Sequence, residues 1–401
     1  MTKGETQFAI LGAKPKFDAP IPIGQLYFPS WKRYEAAFRG IFERQYYTNN
    51  GPLLTEFENK LQQFFGVKHA ICVSSATLGL MMAVDAMGLS GKVILPSFTF
   101  IASAQSLSWA GIEPIFCDVD SVTHQISIDK LDALIDDQVT GIMGVNLWGG
   151  ACDPLALERY AHSRGLKLYF DSAHAFGCTV GDIKIANFGS LEVFSFHATK
   201  ILSATEGGCI CTNDDGIAAR LRSIRPSYGS ANSITIPKVA NSRMSEAQAA
   251  IGLLSLDDFP LNCQKNETLF RKYEEKLSAI PGVKLVKPKG VTSSNFQYVV
   301  CEINEDVYGI SRDSLIAVLK AENVIARRYF YPGVHHSIEY QTNSLGNAEK
   351  LPITDSLCKS CIQLPIGAMV DSNIVEVICD TIDKSHRDLA LLKAYFKEID
   401  Q

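Results

Sequence analysis

Between residues 51 and 213 the chain alternates short apolar segments with stretches whose apolar residues recur every three or four positions. The periodic stretches, such as 52–65 and 77–87, predict helices, and the apolar segments, rich in Val, Ile and Phe, predict buried strands. Seven strands are predicted here: 70–74, 92–95, 114–118, 141–146, 166–171, 191–196 and 208–212. This alternation favours an α/β fold with a mostly parallel, seven-stranded sheet covered by helices on both faces.

The pattern changes beyond this region. A long helical pattern covers residues 245–277, and Pro260 is expected to break it. Further strands are predicted at 283–286, 297–303 and 324–329, and further helices at 311–322 and 373–397. We therefore predict two domains, a large one with an N-terminal segment over residues 1–262 and a smaller C-terminal α/β domain over residues 263–401.

Composition and charge limit the classes of function. With 46% hydrophobic and 20% charged residues, the 401-residue chain has the composition of a soluble globular protein. A net charge of −5 argues against a broad nucleic-acid-binding surface. No apolar run is long enough for a signal peptide or a membrane span, so we expect a cytoplasmic protein without membrane contact. The eleven cysteines, including the pair Cys358 and Cys361, are interpreted as reduced packing residues, and no metal site is predicted.

Three polar segments follow predicted strands, where parallel sheets gather their chemistry. In YFDSAHAFG, Asp171 is either an active-site acid or an N-cap of the following turn. In VFSFHATK, Lys200 is either a pocket lysine that forms a Schiff base or an ordinary surface lysine. In VSSATLGL, hydroxyl residues precede a helix whose first N–H groups either bind phosphate or are simply capped.

Taken together, the three segments match the requirements of one cofactor. Pyridoxal phosphate needs a lysine for its aldehyde, an acid for its pyridinium nitrogen and a helix N-terminus for its phosphate. Lys200, Asp171 and the turn at residues 76–77 supply these groups, and Phe98 or Phe100 offers an aromatic face for the ring. The sequence therefore predicts a pyridoxal phosphate enzyme.

Six motifs, in order and spacing, resemble the DegT/DnrJ/EryC1/StrS family of sugar aminotransferases. They are NNGPLLTEFE, PSFTFIAS, FDSAHAFG, FSFHATK, EGG and NSRMSEAQAA, and the resemblance covers nearly the whole chain. It implies the fold type I (aspartate aminotransferase-like) architecture of pyridoxal phosphate enzymes. It also implies a transaminase that takes the amino group of L-glutamate, releases 2-oxoglutarate, and passes the group through pyridoxamine phosphate to a nucleotide-linked keto sugar.

The resemblance implies roles for individual residues. Lys200 corresponds to the Schiff-base lysine, which also moves the proton between the sugar and the cofactor. Asp171 corresponds to the partner of the pyridine nitrogen, and His174 to a contact of the cofactor's 3-oxygen. Phe100 corresponds to the aromatic residue that stacks on the ring. Lys200 and Asp171 are therefore the catalytic residues that we predict.

The remaining implied contacts surround the phosphate and the substrate. Ala76, Thr77 and Ser195 correspond to phosphate contacts within the chain. Asn241 corresponds to an asparagine that the neighbouring subunit contributes, so the resemblance implies a homodimer with shared active sites. Two residues are substrate candidates, each with an equal structural alternative: Arg243, otherwise a surface arginine, and His335, otherwise a satisfied structural histidine. Further candidates for the sugar nucleotide's diphosphate are Arg327, Arg328, Lys32 and Arg33.

The form of two motifs bears on the substrate. FHATK and FDSAHAFGC resemble the branch that acts on 4-keto-6-deoxy sugar nucleotides, including the dTDP-4-keto-6-deoxyglucose 4-aminotransferases of desosamine and viosamine pathways. We therefore expect amination at C4, giving a 4-amino-4,6-dideoxy sugar nucleotide for an antibiotic or a surface polysaccharide. A 3-keto sugar aminotransferase and a non-catalytic, sensor-type aminotransferase-like protein are the alternatives. His197 and Asn146 receive no role from the sequence.

Overall fold

A sheet of seven strands forms the centre of the large domain. The computed structural model describes residues 8–226, 238–341 and 350–399. The strands are β1 (His69–Val73), β2 (Lys92–Pro96), β3 (Glu113–Cys117), β4 (Val139–Val145), β5 (Lys167–Asp171), β8 (Glu192–Ser195) and β9 (Gly208–Thr212). The hairpin strands β6 (Thr179–Val180) and β7 (Ile183–Lys184) stand apart from this sheet. All seven predicted strands are therefore present.

The order of the strands in the sheet is β1-β9-β8-β5-β4-β2-β3. Only β9 runs antiparallel to its neighbours, so the sheet is mostly parallel, as predicted. Alternate side chains of β1 enter opposite cores: Ala70 and Cys72 lie on one face, Ile71 and Val73 on the other. Helices therefore cover both faces of the sheet.

The helices of the large domain lie before, between and after these strands in the chain. They are α1 (Trp31–Arg44), α2 (Pro52–Phe65), α3 (Ala76–Met87), α4 (Ile101–Trp109), α5 (Pro154–Ser163) and α6 (Asp215–Ile224). Three short 3-10 turns, Ala9–Leu11, Ile128–Lys130 and Asp132–Leu134, complete this part of the chain. Phe57 and Leu61 of α2 are buried on one face of the sheet, and Leu80 and Val84 of α3 on the other.

The 32-residue helix α7 (Glu246–Leu277) connects the two halves of the molecule. It opens with a capping box between Ser245 and Gln248 and packs against α2 at one end and the small domain at the other. The predicted break at Pro260 is wrong, since the helix continues through it. Pro260 faces solvent, where water can bond the carbonyl that lacks its helical donor. The predicted domain boundary after residue 262 falls inside α7 and stays a prediction.

The small domain has an antiparallel sheet of order β10-β11-β12, formed by β10 (Val283–Leu285), β11 (Val299–Ile303) and β12 (Cys361–Leu364). Its helices are α8 (Glu305–Tyr308), α9 (Arg312–Ala321), α10 (Ile338–Gln341), α11 (Pro352–Ser360), α12 (Ser372–Arg387) and α13 (Leu389–Ile399). A 3-10 turn at Val334–His336 precedes α10. The helix predicted over 373–397 is therefore two helices, α12 and α13.

One predicted strand of the small domain is wrong. Residues 324–329 form no strand, and their β-bridges among the described residues are the isolated pairs Ile21–Val324 and Arg327–Gln363. The third strand is β12, which directly follows α11 and has no polar turn before it in the sequence. The apolar run at 324–329 instead carries side chains to the site described below.

Two further features concern the cysteines and the character of the helices. No disulfide joins the eleven cysteines, which all lie among the described residues, and all except Cys263 are buried. Within the described part of the chain, no helix is both long enough and apolar enough to cross a membrane.

Candidate active site

A cavity of about 320 Å³ opens at the carboxyl ends of the parallel strands. Strands β4, β5 and β8 end at its wall, and the turn before α3 closes one side. Seven residues that the sequence predicts as cofactor contacts line this cavity: Ala76, Thr77, Phe100, Asp171, His174, Ser195 and Lys200. The fold therefore brings three separate motifs to one place.

Lys200 lies in the turn after β8, with its backbone N–H bonded to the carbonyl of His197 at 2.9 Å. Its Nζ donates to the hydroxyl of Tyr298 at 2.8 Å. Burial lowers the pKa of Lys200 from 10.5 to about 8, although the charge of Asp171 opposes this and that of Arg327 adds to it. The side chain is therefore a pocket lysine with a reactive amine, and not a surface charge.

Asp171 is the last residue of β5, and its carboxylate is held from two sides. Ser103 Oγ donates to Oδ2 at 2.8 Å, and the N–H of Ala173 donates to Oδ1 at 3.1 Å. Burial raises the pKa of Asp171, while these hydrogen bonds and the charge of Lys200 lower it. The carboxylate thus caps the following turn and also faces the cavity, where a pyridinium N–H would supply a cationic donor.

His174 offers an unused polar atom to the cavity. Its Nδ1 is buried and has no hydrogen-bond partner among the described residues. Burial, and then the charge of Lys200, lower the pKa of His174 well below its usual range, so the ring is neutral at pH 7. Its ring lies 4.1 Å from that of Tyr298. A buried imidazole nitrogen without a partner fits a contact with a ligand oxygen.

The start of α3 forms the opposite end of the cavity. Ser75 caps the helix by accepting from the N–H of Leu78 at 3.3 Å. The N–H groups of Ala76 and Thr77 have no helical acceptor, because they lie in the first turn. Gly208 allows β9 to lie against this turn, because a Cβ there would stand 2.8 Å from the nitrogen of Ala76. Helix dipole and free N–H groups together fit a phosphate dianion.

These groups fit pyridoxal phosphate. The buried amine, the carboxylate, the unpartnered imidazole nitrogen and the helix N-terminus each match one part of the cofactor. Phe100, half exposed at the mouth, is placed to cover a bound ring. Asn146, which the sequence left without a role, donates to Ser172 and accepts from the N–H of Cys152, so its amide is already engaged.

Asn241 and Arg243 lie outside the residues that line the cavity of their own chain. Asn241 is exposed and Arg243 is partly buried, and Arg243 donates to Asn241 Oδ1 at 2.8 Å and to Asn49 Oδ1 at 2.8 Å. Asn241 has a left-handed backbone, with φ of 47°. The two side chains are therefore hydrogen-bonded to each other, while the backbone of Arg243 bridges to Val73 at the end of β1, just before the predicted phosphate turn.

His335 is buried, and both of its ring nitrogens are bonded. Nδ1 lies 2.6 Å from Ser97 Oγ, and Nε2 lies 3.1 Å from Asp355 Oδ1, which His336 also contacts at 2.9 Å. This arrangement matches the structural alternative for His335. His197, in contrast, lines the cavity mouth, with Nε2 at 3.7 Å from Glu206 Oε1.

Sequence reasoning missed several residues of the site. Tyr298, Trp148 and Phe330 form an aromatic group beside His174, and Ser103 holds Asp171. A tyrosine within an apolar strand needs a partner for its hydroxyl, which is a signal that would have pointed to Tyr298. The others have no distinguishing sequence pattern.

A larger groove of about 730 Å³ adjoins the cavity and shares part of its wall. The shared residues are Thr99, Phe100, Arg327, Tyr329 and Phe330. Cationic side chains also line the groove, and the guanidinium of Arg328 lies 4.3 Å from the ring centre of Tyr331. The groove can therefore receive an anionic ligand that reaches into the cavity.

Comparison with known proteins gives concordant matches. The model of the DegT/DnrJ/EryC1/StrS aminotransferase family matches residues 31–383. The chain is 34% identical over 368 residues to a dTDP-4-amino-4,6-dideoxy-D-glucose transaminase of Shigella dysenteriae, covering 91% of this chain and 99% of the relative. It is 35% identical over 288 residues to a GDP-perosamine synthase of Caulobacter vibrioides, covering 70% and 77%. A solved structure of DesI with its TDP-sugar product has a TM-score of 0.92 and 35% identity, covering 97% of this chain and 99% of that chain.

Proposed function

From the premise that the chain belongs to the DegT/DnrJ/EryC1/StrS aminotransferase family, we propose that it aminates C4 of a nucleotide-linked 4-keto-6-deoxyhexose. L-glutamate is the amino donor, and the product is a 4-amino-4,6-dideoxy sugar nucleotide. Family membership confirms the predicted enzyme class, fold type and cofactor, namely a fold type I, pyridoxal phosphate-dependent aminotransferase. The likeness over 97% of the chain to a structure that holds a TDP-sugar product carries the choice of substrate.

Each of the cavity residues has a separate role in the proposed reaction. Bound pyridoxal phosphate supplies an aldehyde that takes up amino groups and a ring that accepts electrons. Lys200, whose pKa is about 8, holds or releases a proton near neutral pH and so serves as the acid and base at the reacting carbon. Asp171 would keep the ring nitrogen of the bound cofactor protonated, and His174 would contact its 3-oxygen. The N-terminus of α3, with Ser195, would hold the phosphate and so fix the ring's position.

The groove beside the cavity is the proposed place of the substrate's nucleotide diphosphate. Its volume of about 730 Å³ is within the usual range for such ligands. Arg327 stands where the groove meets the cavity, and Lys320 and Arg328 line the groove itself. A guanidinium can donate two parallel hydrogen bonds to phosphate oxygens. Lys32 and Arg33 line neither the groove nor the cavity, which favours Arg327 and Arg328, although Arg328 also pairs with Asp313 at 3.5 Å.

We also propose a homodimer in which each site receives Asn241 from the other subunit. Asn241 lies outside the cavity of its own chain, which supports the proposed homodimer. A contact between Asn241 and a bound phosphate would therefore be made to the site of a second copy. Helix α1 carries exposed aromatic residues, among them Trp31 and Phe42 at 73% and 68% exposure. Exposed aromatic groups of this kind are typical of interfaces between proteins.

The proposed reaction is tested with glutamate and a panel of 4-keto and 3-keto sugars linked to deoxythymidine, uridine or guanosine diphosphate. Nuclear magnetic resonance of the product locates the new amine. We expect 2-oxoglutarate to form together with a sugar aminated at C4. Amination at C3, or turnover of none of these sugars, would contradict the assignment.

A further inference from the structure

We propose that Tyr298 is a positioning residue for Lys200, whose hydroxyl holds the lysine amine in place whenever the amine is not bonded to the cofactor. The inference rests on the proposed aminotransferase function. The Lys200 Nζ lies 2.8 Å from the Tyr298 oxygen, and this is the only hydrogen bond of Nζ within the described residues. Tyr298 is 6% exposed, and its ring packs against His174 and Trp148.

The chain around Tyr298 is tied to the segment that carries the lysine. Gln297 accepts from the N–H of Ile201, the residue after Lys200, at 3.0 Å. Asn295 donates to two carbonyls of the turn after β5, at 3.1 and 3.0 Å. Tyr298 directly precedes β11, the central strand of the small sheet. The phenol is therefore fixed relative to both motifs that supply the catalytic residues.

The hydroxyl suits both protonation states of the amine. Burial raises the pKa of Tyr298 well above 10, so the phenol stays neutral. Its oxygen accepts from an ammonium, and its O–H donates to a free amine. The other groups that face Lys200 are Asp171 from β5, the neutral His174 and the cation Arg327. Of these, none replaces the phenol as a hydrogen-bond partner of Nζ.

Loss of the hydroxyl affects the two states of the amine unequally. A hydrogen bond from an ammonium is stronger than one to a neutral amine, so the charged state loses more. In a Tyr298→Phe variant, the pKa of Lys200 should therefore fall below its present value of about 8. The amine should also lose its fixed position, which slows proton transfer without weakening cofactor binding.

The pKa of Lys200 is measured in the full-length, cofactor-free protein by its rate of acetylation with acetic anhydride across pH, read by peptide mass spectrometry. We expect Tyr298→Phe to lower this pKa by about one pH unit. Tyr273→Phe is the matched control, since it removes a buried hydroxyl that bonds the carbonyl of Pro365 in the small domain. This control should leave the Lys200 pKa unchanged.

The loaded enzyme supplies the second measurement. With glutamate alone, the rate of the first half-reaction in Tyr298→Phe should fall about tenfold or more, while the KM for glutamate and the cofactor affinity change less than about twofold. An unchanged Lys200 pKa, or a rate loss matched by lost cofactor affinity, would overturn the proposal. Neither measurement uses a sugar, so a wrong sugar assignment would fail the panel assay and leave these results unaffected.

Discussion

The amine of Lys200 and the carboxyl of Asp171 titrate in surroundings that a surface side chain never meets. Burial lowers the pKa of the lysine to about 8 and raises that of the aspartate. Each charge also stabilises the other, which opposes both effects. The amine of Lys200 therefore has a far larger unprotonated share at neutral pH than a surface lysine, and chemistry at a carbonyl requires that unprotonated form.

Uptake of pyridoxal phosphate by the cofactor-free protein should depend on pH through Lys200. Only the unprotonated amine attacks the aldehyde, so the rate should rise about tenfold per pH unit below its pKa and level off above it. The plot of rate against pH should therefore change slope near pH 8, because the pKa of Lys200 is about 8. Stopped-flow absorbance of the coloured lysine adduct gives the rate. Lys200→Ala should show no absorbance change of adduct formation, and a rate independent of pH would contradict this role of the amine.

Asp171→Asn should lose most of its activity and keep its fold. The amide has the shape of the carboxylate and can still accept from Ser103 at Oδ, but it carries no charge to keep a ring nitrogen protonated. We expect kcat to fall about 100-fold or more, with little change in the melting temperature. Asp153→Asn, which alters the exposed cap of α5, is the control. A rate near that of the parent enzyme would remove Asp171 from its role.

At the scale of elements, prediction succeeded where polar turns separate the apolar runs. The strands of the large sheet differ from their predicted bounds by two residues or fewer, because each run is bounded by a loop or a helix pattern. It failed at β12, which follows α11 without a turn, and at residues 324–329, where an apolar run forms no ladder. Local pattern does not reveal which segment pairs with a distant strand.

The contact between β9 and α3 can be tested at Gly208. A Cβ there would stand 2.8 Å from the nitrogen of Ala76 and 2.8 Å from the oxygen of Phe194, so Gly208→Ala must push the two elements apart. We expect a loss of about 1–3 kcal/mol in the free energy of unfolding and a cofactor affinity about tenfold weaker. Denaturant unfolding and fluorescence titration measure these.

Gly216→Ala is the control for Gly208→Ala. It lies in the first turn of α6, where the nearest atom to a new Cβ is the flexible carboxylate of Asp214 at 3.2 Å. We expect unchanged cofactor affinity and a stability equal to or above that of the parent, because alanine favours helix. Equal behaviour of the two variants would show that close approach at Gly208 has no bearing on the cofactor.

At the scale of the molecule, the sequence was enough to locate the residues that we expect to bind the cofactor, but not the residues that hold them in position. Lys200, Asp171 and the turn at Ala76 follow strands, so the rule for parallel sheets is enough to bring them together. Ser103 and Tyr298 reach the site from a helix and from the small domain, and only the tertiary fold shows those contacts. Both ring nitrogens of His335 are bonded, to Ser97 and to Asp355, and a substrate contact by His335 stays a prediction.

The shared site can be tested by mixing two inactive variants. Consider a heterodimer of one Lys200→Ala subunit and one Asn241→Ala subunit. If Asn241 serves the site of the partner subunit (a trans arrangement), one site has both residues intact and the other site carries both substitutions. Unfolding and refolding the mixture should therefore restore up to about a quarter of the parent activity, since half of randomly paired dimers are mixed. A cis arrangement restores none. Light scattering checks that each variant alone has the mass of a dimer.

Helix α7 has a consequence for how the molecule melts. Its 32 residues form one rod of roughly 48 Å at the usual helical rise, packed against α2 at one end and α12 at the other. Because neither sheet can unfold without exposing a face of α7, we expect the two domains to unfold in a single cooperative transition. A small molecule held by the large domain then raises the melting temperature of both, and the cofactor acts as a thermal stabiliser of parts that it never touches.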